Sequence, residues 1–139
     1  MHERLIQRLD ARFRAYDELA RQLSEELLVR SVDVPKHKTL SDHLWCVIGA
    51  RESYAKGITA GEWAGFSCSM EGLTTYDFRA KLESSSNAVR DALQPISTWD
   101  EARTDLLLSL AEHEVMHEGQ IIRHMYALEL KLPESWFWA

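Results

Sequence analysis

The chain has 139 residues, 45% hydrophobic and 27% charged, a balance that supports one globular domain over residues 1–139 with a core of its own. A net charge of −6 argues against nucleic acid as a partner, because such a protein needs a cationic face to replace phosphate counterions, and it argues equally against docking on an anionic membrane. No run approaches the ~20 apolar residues that span a bilayer, the start Met1-His2-Glu3-Arg4 is unlike a signal peptide, and Cys46 and Cys68 form no Cys-x-x-Cys pair and read as free thiols, so a cytoplasmic location is expected.

Three prolines and six glycines leave room for long helices. The first is predicted over 3–30, where Leu5, Leu9, Phe13, Tyr16, Leu19, Leu23 and Leu27 recur at steps of three and four and Pro35 forbids much further extension. His2 is expected to lie outside ordered structure. A second helix is predicted over 40–56, started by a Thr39/Asp42 capping box, carrying the stripe Leu40, His43, Val47, Ala50 and Tyr54, and stopped by Gly57. Residues 57–73 hold four glycines with Trp63 and Phe66 between them; so long a connection often carries function, and it is expected to cover a pocket.

A third helix fits 75–94, capped by Thr74 or Thr75 and ended before Pro95, with the thin stripe Phe78, Leu82, Val89 and Leu93. The last helix is predicted to start at a Thr98/Glu101 capping box and to run to Leu132-Pro133, with Leu106, Leu110, His113, His117, Ile121, His124 and Leu128 on its inner face. The tail Trp136-Phe137-Trp138 is expected to pack on its own bundle, with a dimer seam as the alternative. No segment reads as a strand, so the class is all-α, a four-helix bundle.

His113 and His117 stand four apart on that inner face, so their rings lie one turn apart and can converge on one ion. Two neutral imidazoles in a core need two separate partners; a single cation satisfies both. His43, on the inner stripe of the second helix, is the candidate third ligand, since bundles complete metal sites from facing helices. Three imidazoles leave a position open for water or substrate, as catalytic zinc-type sites do, and they suit zinc, nickel, copper or iron. His124 lies about 10 Å further along the axis than His117, too far to share an ion with His113, and is assigned a supporting or core role. His37 is expected in solvent; Cys46, three residues after His43, is close enough in register to approach the site but reads better as a small apolar core residue.

Residues 113–117 also spell His-Glu-x-x-His, the zinc helix of many metalloproteases. The context argues against that reading: only 22 residues follow His117, and neither Gly119 nor His124 falls where a longer metalloprotease motif would put it. Glu114 is then a flanking carboxylate about 100° round the helix from His113, close enough to act on water at the site.

His-x-x-x-His-x-Gly-Gln on the last helix (His113, His117, Gly119, Gln120), with His43 within Leu40-Ser41-Asp42-His43-Leu44-Trp45, resembles the DinB/YfiT-like superfamily over nearly the whole chain. The resemblance implies an up-down-down-up four-helix bundle, a divalent metal on His43, His113 and His117, and frequent homodimers. Members of known activity include metal-dependent thiol S-transferases and a thiol-dependent isomerase. Met116 stands where the family often has a second histidine. Gly119 is expected to permit a close approach of helices or ligand, and Gln120 to hydrogen-bond a ligand histidine or a group on the metal.

The histidines point to a metal-dependent enzyme acting on a small molecule through a three-histidine centre, and the resemblance implies a hydrolase or thiol S-transferase type and the thiol that goes with it. Zinc or nickel leads as the metal, a low-molecular-weight thiol is a candidate cofactor, and Glu114 or another carboxylate would shuttle the proton. The alternative is a non-catalytic, stress-related dimeric metal-binding protein.

Overall fold

The computed structural model describes residues 1–139 and is entirely helical: α1 (His2–Ala20), α2 (Glu25–Val29), α3 (Leu40–Ala60), α4 (Thr75–Leu93) and α5 (Glu101–Ala127). The four long helices share a core. α3 packs on α4 and α5, and α1 packs on the same two, so α1 and α3 face each other across the bundle. No helix is long and apolar enough to cross a membrane.

The first predicted helix divides in two. α1 stops at Ala20, and α2 begins after Ser24, whose extended backbone lets Oγ accept from the Leu27 amide at 3.1 Å. The apolar spacing misleads there because Leu19, Leu23, Leu27 and Leu28 are all buried through the break. Arg79 on α4 secures it, donating to the carbonyls of Ala20 at 2.8 Å and Leu23 at 3.1 Å. His2 is ordered rather than free: it opens α1, stacks on Trp99 and lies 2.9 Å from the Thr104 hydroxyl.

The Thr39/Asp42 capping box starts α3 as its spacing predicts, and Thr74 with Asp77 forms another at α4. α3 runs through Gly57 and ends at Gly61, whose φ of 82° is the left-handed stop. Arg103 of α5 then covers the freed α3 carbonyls of Ile58 and Thr59. α5 is capped by Asp100, whose side chain accepts from the Arg103 amide at 2.8 Å, and not by Thr98.

The apolar core forms two clusters. The larger holds Tyr16, Leu19, Leu44, Ile48, Leu82, Ile121 and Trp136 among others; the second holds Phe13, Ile58, Val89, Leu107 and Leu110. Arg51 lies between them, its guanidinium 4.5 Å from the Phe13 ring centre and 5.0 Å from that of Tyr16. The aromatic tail divides as well. Trp136 is buried, its indole N–H donating to the Ala15 carbonyl at 2.8 Å, while Phe137 and Trp138 remain exposed beside it.

Candidate metal centre

α3 and α5 meet so that the inner stripe of each delivers its polar residues to one place. His43 Nδ1 lies 2.9 Å from His117 Nδ1, so one imidazole donates to the other and their tautomers are coupled. Cys46, one turn after His43, brings Sγ to 3.5 Å from His113 Nε2. Ligand atoms of Cys46, His113 and His117 all lie within 4.8 Å of one another, and these three residues could hold a metal ion. The group thus brings in Cys46 as a further candidate ligand, and His43 reaches it through His117.

Two observations fit a cation. His117 Nε2 and His113 Nδ1 are buried without any hydrogen-bond partner, an arrangement that costs free energy unless something binds there. All three rings are also held neutral. Burial first, then Lys38 and His124, brings His43 down to about 4, and burial with the neighbouring histidines brings His117 to about 3; burial lowers His113 too. Neutral imidazole is the form that binds metal. The Cys46 thiol is pushed up by burial, so it would have to lose its proton on binding an ion.

Glu114 behaves unlike a flanking carboxylate. Its oxygens accept from Arg51 Nε at 2.6 Å and Nη2 at 2.9 Å, both side chains are fully buried, and the Tyr16 hydroxyl donates to its backbone carbonyl at 3.1 Å. One turn on, Glu118 accepts from Arg12 at 2.6 Å, leaving Oε2 unpartnered. His113, Glu114, His117 and Glu118 therefore send alternating imidazoles and carboxylates into neighbouring parts of the bundle interior.

A cavity of about 650 Å³ opens beside the centre. His43 stands on its wall with His124, Gly119 and Gln120 of α5, and residues 32–38 close the other side. His124 is buried with Nε2 unpartnered. Gln120 is exposed at the cavity wall and makes no side-chain hydrogen bond within the protein. Gly119 does not serve a close approach between helices, because a Cβ there would meet no protein atom within 4 Å. Residues 57–73 do not line this cavity. They lie along α3, with Trp63 on Tyr54 and Phe66 on Trp45, and Ser53 bonded to both the amide and the carbonyl of Ser67.

The only sequence signal for Cys46 is the three-residue step from His43, which places both on one face of α3. No protein-family model matches the chain, and no curated protein matches it either.

Proposed function

We propose that this chain is a metal-dependent enzyme of the DinB/YfiT-like type, an up-down-down-up bundle that acts on a small molecule in the cavity beside His43. The observation that carries the reading is the meeting of Cys46, His113 and His117 within 4.8 Å, with two buried imidazole nitrogens left unpartnered. Cys46 Sγ, His113 and His117 Nε2 would hold a divalent ion, zinc or nickel by the softness of this donor set. His43 would keep the His117 ring in position through Nδ1, as outer partners of metal-bound imidazoles do.

When bound, such an ion makes a water or thiol beside it far more acidic at neutral pH. The residues around it supply the rest. His43 lines the cavity and contacts His117, so it links the cavity wall to the centre. His124, on the same wall with its Nε2 buried and unpartnered, is the candidate proton acceptor. The Glu114 oxygens are both taken by Arg51, which gives the proton-transfer role to His124 and leaves Glu114 to anchor the helix that carries His113 and His117. A cavity of about 650 Å³ beside the centre offers room for a small-molecule substrate. Thiol S-transfer, hydrolysis and a homodimeric assembly are the family-derived parts of the proposal.

Elemental analysis of the purified protein beside a His117→Ala variant tests the centre. One divalent ion per chain in the wild type and its loss in the variant are expected; equal, trace metal in both ends the proposal. Metal-loaded protein is then assayed against thiols paired with electrophiles and against esters, with turnover expected only when metal is present.

A further inference from the structure

We propose that the cavity beside His43 binds a small anion bearing carboxylate or phosphate groups, gripped by Lys36, Lys38 and Arg123. This names the substrate class for the site proposed above and rests on that reading only for the link to catalysis. The cavity wall carries these three cations and three histidines but no aspartate or glutamate. That is a pronounced local excess in a chain with 22 acidic and only 16 basic side chains.

The cations are also uncommitted. Neither Lys36, Lys38 nor Arg123 takes part in any of the protein's salt bridges, which employ Arg12, Arg14, Arg51, Arg90 and Arg103 instead. Two come from the 32–38 segment and one from α5, so they flank the opening from opposite walls. Lys36 stands at the cavity wall with a φ of 58°, an uncommon backbone state for a lysine. The wall also carries His124, whose buried Nε2 has no partner, and Gln120, which is exposed and makes no intramolecular side-chain bond. Cations of one sign around a concave, partly apolar wall concentrate their field there and draw in anions, with an effect that falls as salt rises. The volume suits a metabolite-sized molecule.

Calorimetric titration at low ionic strength with succinate, inorganic phosphate and neutral succinamide tests this. It is run on chelator-treated protein and on His117→Ala, so that a metal cannot itself capture the anion. Succinate or phosphate is expected to bind and succinamide not to. A Lys38→Ala/Arg123→Ala double variant should weaken anion binding about five- to tenfold, the effect expected when two exposed charge pairs are removed. Lys56→Ala, about 20 Å from His43 along α3 at 1.5 Å per residue, should leave it unchanged. Binding of succinamide as tight as that of succinate, no anion binding at all, or an undiminished double variant would each overturn the inference. Metal content measured on untreated protein separates the two proposals. Metal without anion preference removes the anion site alone; anion binding without metal removes the metal centre alone.

Discussion

Glu114 gives both carboxylate oxygens to Arg51, at 2.6 and 2.9 Å, with neither side chain reaching solvent. The pair joins the middle of α5 to the middle of α3, and Arg51 also donates to the Leu82 carbonyl of α4 at 3.2 Å. The residue that makes His113–His117 look like a protease motif is therefore a structural anchor between the helices that carry the metal ligands.

A buried charge left without its partner is far more costly than the pair is beneficial. Glu114→Ala should destabilise the protein by about 3–5 kcal/mol, whereas the double replacement Arg51→Met/Glu114→Leu should come within about 1–2 kcal/mol of the wild type or exceed it. Urea unfolding of the wild type, the single variants and the double variant measures this. A double variant as weak as the sum of its singles would show that the pair is not coupled.

Cys46 and His43 make different predictions for a metal probe. With cobalt in the site, a thiolate-to-metal charge-transfer band is expected in the wild type and absent in Cys46→Ser. His43→Ala should keep the band while weakening affinity about 10–100-fold, as loss of a partner that orients a ligand does. If His43→Ala strips the metal and Cys46→Ser retains it unaltered, the three-imidazole arrangement is the correct one.

The two most shifted histidines set an acid limit for the metal-free protein. Unfolded, each takes up a proton near 6.5; folded, His43 does so only near 4 and His117 near 3. Between those values the unfolded chain binds more protons, so their contribution to stability is intact above about 6.5 and declines as pH falls toward 4 and then 3. Urea midpoints of chelator-treated protein should drop from pH 7.5 to pH 5, and the decline should be shallower in His117→Asn. Equal slopes in the two proteins would contradict the assignment.

Two helical glycines should respond in opposite directions to alanine. Gly119 faces open space, so Gly119→Ala should stabilise by about 0.5–1 kcal/mol through helix propensity alone. Gly49 lies under the connection that follows α3: a Cβ there would collide with the Phe66 ring and stand 2.9 Å from the Cys68 Cβ. Gly49→Ala should cost about 1–3 kcal/mol, the range for forcing extra volume into a packed contact. Thermal melts of both variants decide the matter, and shifts of the same sign would refute the contrast.

Much of this protein follows from local rules in its sequence. The helical class, the capping boxes at Thr39 and at Thr74, and the inward direction of His43, His113 and His117 all depend on spacing within single helices, where 3.6 residues per turn determines which side chains share a face. The helix ends were less legible. Gly57 and Gly61 both look like stops, and the one used is the one whose φ turns positive; Leu19, Leu23 and Leu27 keep helical spacing across a break that Ser24 and Arg79 create.

What the tertiary structure decided was how one helix is rotated and slid against another. That offset brings Cys46 Sγ to His113, sets His43 on the far nitrogen of His117, gives Glu114 to Arg51, and gathers Lys36, Lys38 and Arg123 around one opening. A sequence specifies which face of a helix is apolar, but a shift of one residue along the axis moves a side chain by about 1.5 Å. Ligand atoms tolerate less than that, so only the packed bundle determines which donors meet.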